Sequence, residues 1–325
     1  MDSYSFWLNG IDILAIYGDK SWMLKTENQI KICYTTLAIG YEYNQLAKQL
    51  AQDIYKLSPN TFFVILTDRP QLFREDKHVI AVKHNVQSVG IFHDKLCCIK
   101  RCFQDFDCCI FLDADCRLIE NLVVSRNWKP GLTAKTCWSL TKHLTSKNNS
   151  TNKKQLTHKL VNEIAEELKI LIDQCKFIYE GIFIIRKNNG KEIEFLKIWQ
   201  QIRDYLEING IFDGEGIAMG LAACKTSMEI YHYVSGYPEE NVDYDIQDVY
   251  KDKISYKLLI HKNAENLSTA LQEKILKFDG ERREITKLSL QDKLIKKITN
   301  SILKKLRFIK LKIRSMEKKN FSDFI

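Results

Sequence analysis

No stretch of the 325-residue sequence approaches the roughly 20 consecutive apolar residues that span a bilayer, so no membrane-crossing helix is expected. The opening, Met1 to Gly10, lacks a basic start followed by a long apolar run, and no secretory leader is read there. Ten cysteines are accordingly expected as thiols and not as a disulfide framework. Six of them, Cys97, Cys98, Cys102, Cys108, Cys109 and Cys116, fall close together yet lack the paired Cys-x-x-Cys knuckles of a zinc site. They lie inside a helical and a strand-like pattern, where cysteine behaves as a small hydrophobe. Low-complexity sequence is also missing, and 45% apolar content is enough for one large core or two modest ones.

The formal net charge of +8 belongs to one place. Residues 291–319 hold eleven Lys and Arg against two acids, which exceeds the charge of the whole chain and leaves the remainder near neutral. Within that segment Ile295, Ile298, Ile302, Leu306, Ile309, Ile313 and Met316 recur every three or four residues, while Lys296, Lys297, Lys304, Arg307 and Arg314 fall on other faces. This is the pattern of a basic amphipathic helix, suited to an anionic membrane surface, to the side of a globular body, or to a partner helix. The basic residues are not interleaved with stacking aromatics, so no nucleic acid partner is expected.

Along the chain, apolar runs alternate with helical spacing. Ile30–Leu37 reads as a first strand, Asn44–Leu57 as a helix closed by Ser58-Pro59-Asn60, and Phe62–Leu66 as a second strand ending in a turn at Thr67–Pro70. Val79–Val82 and Cys108–Leu112 read as further strands, and His93–Phe103 as the helix between them. Such alternation predicts an α/β layer architecture with a mostly parallel sheet. Residues 146–158 are polar without period and read as a loop or flap, followed by a helix over Val161–Leu171. Phe177–Ile185 reads as one strand interrupted at Glu180-Gly181, Ile193–Leu206 as a helix, and Tyr256–His261 as a late strand. Asp213 is expected to cap the helix that follows it, with Glu215 in the first turn.

The most informative stretch is Ile110-Phe-Leu-Asp-Ala-Asp115. An apolar strand covered on both faces runs into two carboxylates two residues apart, which on an extended chain point the same way and can share one hard cation. The plainer reading is a turn, since Asp favours turns by bonding its own backbone. Position favours a site, because ligands of open α/β sheets gather at the carboxyl ends of strands.

Ile110–Asp115 resembles the metal-binding strand of the nucleotide-sugar glycosyltransferases of GT-A fold, most closely the glycogenin and galactosyltransferase-like group known as family 8 and its bacterial relatives. Phe177–Arg186 resembles that group's Asn-Ala-Gly-Val-Leu-Leu-Ile-Asn strand, Asp213–Ala223 its Asp-Gln-Asp helix start, and Leu258–His261 its late Ile-His. This sequence departs from the group in carrying Tyr179-Glu180 for Asn-Ala and Asp213-Gly-Glu215 for Asp-Gln-Asp. The resemblance spans roughly residues 30–262. It implies a GT-A domain over 30–265, a three-layer sandwich around a mostly parallel sheet, between an unassigned extension at 1–29 and a basic helical tail at 266–325.

The same resemblance implies Mn²⁺ or Mg²⁺ held by Asp113, Asp115 and His261, and a nucleoside-diphosphate sugar as donor. Nucleotide recognition would fall to Tyr34, Thr35, Thr36 and Asp68, with Lys95 or Arg101 meeting phosphate or sugar hydroxyls. Asp213, Glu215 and Glu180 are the candidates to take the acceptor proton if the sugar inverts. The acceptor would be a glycan, a lipid or another hydroxyl compound. The expected location is cytoplasmic, with three roles open to residues 291–319: peripheral contact with an anionic membrane on its inner face, docking on the catalytic domain, or pairing with another chain. Two other readings share parts of this pattern. A nucleotidyltransferase would need a Gly-rich triphosphate loop after the first strand, which is absent; a membrane-associated scaffold would keep the fold without turnover.

Overall fold

The computed structural model describes residues 30–118, 128–134, 137–145, 152–232, 290–315 and 320–324, with single positions between 273 and 287. The late strand expected at Tyr256–His261, and with it His261, lies outside the described residues, as do residues 1–29 and 146–151.

Alternating side chains explain why the sheet is covered on both faces. Strands β1 (Ile32–Ala38), β2 (Phe62–Thr67), β3 (Val79–Lys83) and β4 (Cys108–Leu112) are parallel, and β8 (Ile182–Arg186) joins β4 antiparallel. Strand β5 (Gly131–Ala134) and β9 (Ile230–His232) complete the order β3-β2-β1-β4-β8-β5-β9. Tyr34, Phe63, Ile65, Ile110, Leu112, Ile182 and Ile184 point to one face, where helix α1 (Tyr41–Leu57) lays Ala47, Leu50, Ala51 and Ile54 on them. Cys33, Val64, Cys109, Phe111, Phe183 and Ile185 point to the other. There they meet α2 (Lys95–Cys102), α4 (Asn152–Leu168), α5 (Lys191–Ile208) and α6 (Glu215–Lys225). The result is a three-layer α/β sandwich with a mostly parallel central sheet.

Three expectations are corrected. The run Phe177–Ile185 is two strands in two sheets: β7 (Lys176–Ile178) pairs with β6 (Cys137–Ser139), and β8 belongs to the large sheet. The polar segment expected as a loop up to 158 is already helical from Asn152, where α4 begins, and α4 stops at Leu168. Asp213 is not a cap, since the residue preceding α6 is Gly214, without a side-chain cap bond. A short helix α3 (Leu140–Thr145) follows β6.

The small residues of α6 have a steric reason. A Cβ on Gly220 would lie 1.8 Å from the Lys176 carbonyl oxygen, and one on Gly216 2.3 Å from that of Ile178. Only glycine lets α6 lie directly on β7, and this contact carries Glu215 to the sheet switch at Tyr179–Gly181.

The basic segment forms α7 (Leu290–Arg314), 25 residues long. The chain then returns to the body, where Phe321 and Phe324 set their ring edges against Tyr205 of α5 at 5.3 and 5.6 Å. Among the described residues no helix is long and apolar enough to cross a membrane.

Candidate active site

Strand β4 stops at Leu112, and Asp113–Cys116 is a turn closed by the Cys116 N–H donating to the Asp113 carbonyl at 2.8 Å. The extended-chain argument for a shared direction therefore does not apply to Asp113 and Asp115. Both are nevertheless partly open, while Ala114 and Cys116 are buried. The turn is tied down on both sides. The Asp113 N–H donates to the Gly181 carbonyl at 3.0 Å, bringing the start of β8 beside it. Arg117 donates two bonds to the Asp53 carboxylate of α1, at 2.6 and 2.9 Å, and a third to Glu281 at 2.6 Å. This forked geometry fixes the loop after the acids better than a single contact would. Arg117 carried no signal in the sequence beyond being an arginine near two acids.

Lys95, at the first turn of α2, is the hub. Its ammonium is 3.0 Å from Asp113 Oδ1 and 3.7 Å from Glu215 Oε1, and it donates to the Glu180 carbonyl at 3.1 Å. It also lies over the Phe111 ring, 5.4 Å from the centroid. Four candidate residues from four parts of the chain thus converge here: Lys95, Asp113, Glu180 and Glu215. Burial disfavours the Lys95 charge, yet Asp113, Glu215 and Glu180 outweigh it and hold the pKa above the ordinary lysine value. Burial, then repulsion from Glu215, pushes Glu180 up to about 8. Burial also raises Glu215, against the pull of Lys95. With its pKa at about 8, Glu180 holds a proton at neutral pH.

The other candidates are distributed differently. Asp213 is exposed and pairs with Lys153 of α4 at 2.5 Å, outside the buried cluster. Tyr34 is enclosed on the α1 side, where its hydroxyl shares a bond with Ser58 at 3.1 Å; Thr35 is fully buried on the opposite side. Thr36 donates to the Leu112 carbonyl at 2.6 Å and so locks β1 to the end of β4. None of these three presents surface to a ligand here. Asp68, at the end of β2, accepts from the Gly40 N–H at 3.0 Å and Asn44 Nδ2 at 2.8 Å, holding the β1–α1 turn where Gly40 takes a φ of +88°. Arg101 pairs with Asp105 one turn along, away from the cluster.

Two further groups belong to the wall of the site. His93 is fully buried, neither ring nitrogen is hydrogen-bonded among the described residues, and burial with the Arg203 charge lowers its pKa to about 3. The neighbouring Asp94 is not a side-chain cap of α2. It accepts from His84 at 2.7 Å and from the Gln87 and Ser88 N–H groups at 2.7 and 2.9 Å. Glu207 does the same for Val89 and Gly90, at 2.9 and 2.7 Å. Two carboxylates thus hold residues 84–90 rigid beside the site.

The donors at the end of β4 are oxygens alone: Asp113 and Asp115 on an open turn, with the buried Glu180 Oε2 lacking a hydrogen-bond partner close by. That set fits a hard divalent cation and not a soft one. Among the described residues, two triads have ligand atoms within 4.8 Å of one another, Cys33/Cys102/Cys109 in the core and His84/Asp94/Cys97. Neither is at this site. A groove of about 660 Å³ lined by Lys100, Lys187, Gln200, Asp204 and Phe324 contains none of the candidate residues.

No family model and no curated protein matches the sequence. Among solved structures, the chain is similar to the galactosyltransferase LgtC in complex with donor and acceptor sugar analogues, with a TM-score of 0.45 and 11% identity over 79% of this chain and 98% of that one. An active-site mutant of LgtC gives 0.44 and 12% over the same shares. The bifunctional glycosyltransferase WbbM, solved without ligand, gives 0.40 and 10% over 79% of this chain and 45% of that one.

Proposed function

We propose that the protein is a glycosyltransferase that moves a sugar from a nucleoside-diphosphate donor to a hydroxyl of a glycan or lipid acceptor. The observation that carries this reading is the convergence of Asp113, Glu215 and Glu180 on the buried ammonium of Lys95 at the carboxyl end of the central strand. A structural ion pair does not need this many ionisable groups out of water at a sheet's ligand-binding edge.

Asp113 and Asp115 would hold a divalent cation, Mn²⁺ or Mg²⁺, which when bound supplies Lewis-acid stabilisation to the departing diphosphate. The remaining work falls to the chain itself. Lys95, kept charged by its acidic neighbours, sets a fixed positive charge beside Asp113 and needs no reorganisation as negative charge develops. Glu180, with a pKa near 8, carries a proton at neutral pH and loses it just above, which suits exchange with an acceptor hydroxyl. Glu215 tunes that proton through repulsion. Asp68 and the turn it holds at Gly40 form the edge on which a nucleoside would rest.

The test is thermal stability of the full chain with a panel of nucleoside diphosphates, each with and without Mn²⁺, in wild type and Asp115→Ala. A ligand at 100 times its Kd adds about 2.7 kcal/mol. A shift by one diphosphate that requires Mn²⁺ and is lost in the variant is the expected result. No shift from any member of the panel would sink the transferase reading in favour of a scaffold. Conversion of a nucleoside triphosphate and a sugar phosphate into an activated sugar would replace it with a nucleotidyltransferase.

A further inference from the structure

Helix α7 meets the body with the wrong side for an ordinary amphipathic helix. Phe308 sets its ring edge-on to Phe212 at 5.7 Å, Lys304 lies over the same Phe212 ring at 4.1 Å, and Lys296 pairs with Glu42 of α1. Arg307 is partly buried within electrostatic reach of Asp94 and Glu207, and Ser315 is buried. At about 3.6 residues per turn these positions lie roughly opposite the apolar stripe. Leu294, Ile295, Ile298, Ile302, Leu306, Ile309 and Ile313 are between 51% and 62% exposed, so the whole stripe is turned to solvent. A helix held by its polar side and Phe308, with its apolar stripe outward, buries little of its own hydrophobic surface, and a patch of this length marks a binding face.

We infer that this outward stripe is an interfacial anchor that seats in an anionic lipid bilayer, with α7 lying flat on the membrane and the body fixed to it through Phe212. Charge decides the occupant. Lys305 and Lys312 flank one edge of the stripe and Lys310 the other, with no acid among residues 293–315. Each lysine near an anionic surface contributes about 1 kcal/mol of attraction, whereas a second copy of the same helix would bring like charges together. The helix is long enough to span, but its lysines make it one that lies on the surface. The grip is close to the chemistry, since Phe212 precedes Asp213 and Glu215, and its carbonyl presses on Gly90, where an added Cβ would sit 2.1 Å away. The anchor therefore sets the position of the candidate site relative to the membrane. This last step rests on the proposed transferase reading; the anchor itself does not.

The experiment is cosedimentation of the full chain with vesicles of phosphatidylcholine alone and of phosphatidylcholine with 30 to 40% phosphatidylglycerol (roughly that of an acidic leaflet), in low and high salt. Wild type is expected to bind the anionic vesicles at least tenfold more strongly, with binding reduced by salt. Ile298→Asp combined with Ile302→Asp and Ile309→Asp is expected to lose binding at least tenfold while keeping the melting temperature, because these side chains touch little of the body. Absent binding, or equal binding by the triple variant, would overturn the anchor. So would a wild-type dimer in sedimentation velocity that the triple variant dissolves, which would assign the stripe to a second copy. None of these readouts uses nucleotide, so the anchor can fail while the transferase reading stands, and the reverse.

Discussion

At the carboxyl end of β4 one ammonium and two glutamates are drawn out of water, whereas along α7 eight large apolar side chains are left in it. Each region inverts the usual division of charge outside and hydrocarbon inside, and each inversion costs stability in isolation. The direction differs. On the two proposals above, charge turned inward would preorganise a field for a small ligand, and hydrocarbon turned outward would be covered by a bilayer. The contrast also separates residues whose loss should affect chemistry from those whose loss should affect location, and it can be broken at either end.

The largest effect is expected from Asp113→Asn. The variant keeps the shape of the turn and removes the charge, so turnover of the active donor should fall by about 10²- to 10³-fold, with the loss of stability limited because Glu215 still faces the Lys95 ammonium. Steady-state release of nucleoside diphosphate checks it. Lys95→Met acts on the same cluster from the other side. Removing the ammonium leaves the buried Glu215 facing the partly solvated Asp113, at a cost of about 1–2 kcal/mol in chemical denaturation at pH 7. A variant as stable as wild type would mean that the charges are better solvated than their burial indicates.

Much of this architecture was legible before any coordinates. The apolar runs at Phe62–Leu66 and Cys108–Leu112 and the spacing over Asn44–Leu57 announce strands and a helix because period and burial are local properties. What could not be read is which neighbour a segment chooses. Phe177–Ile185 is continuous in pattern, and only its partners, β6 on one side and β4 on the other, reveal that the chain changes sheets at Tyr179–Gly181. The first turns of α4 are polar because they face solvent, so they imitate a loop. Tyr34 was expected at the nucleotide from the resemblance alone, yet alternation along β1 sends it into the α1 layer. The stripe of α7 was plain in the sequence; its outward direction was not, because amphipathicity fixes faces without saying which face meets the body.

A smaller effect sharpens the steric side of the comparison. Gly220→Ala places a methyl group 1.8 Å from the Lys176 carbonyl oxygen, a backbone atom that cannot rotate away. Helix α6 must shift off β7, at about 1–3 kcal/mol as for other overpacked contacts, and Glu215 moves with it. Melting temperature and turnover should fall together, whereas the exposed stripe variants of α7 leave both unchanged in the absence of membrane. If Gly220→Ala lowered stability alone, the placement of Glu215 by α6 would have no bearing on the chemistry.

The smallest effect belongs to Glu180 and depends on pH. Its folded pKa of about 8 is above the usual carboxylate value, so the folded state binds a proton that the unfolded chain has released across the intervening range. Stability from this group is complete below about pH 4.5 and declines as pH rises toward 8. Glu180→Gln imitates the protonated form, so it should remove part of that decline and be more stable than wild type at pH 8 while matching it at pH 5. Because Glu180 keeps part of its surface in water although its Oε2 is buried, the gain is set at roughly 1 kcal/mol, or about 2–4 °C in melting temperature for a chain of this size. The same variant cannot exchange a proton, so its activity should be low on both sides of pH 8, where wild type rises. A variant that kept the wild-type pH profile would assign the proton to Glu215, the next carboxylate around Lys95, and leave the inward field intact with a different carrier.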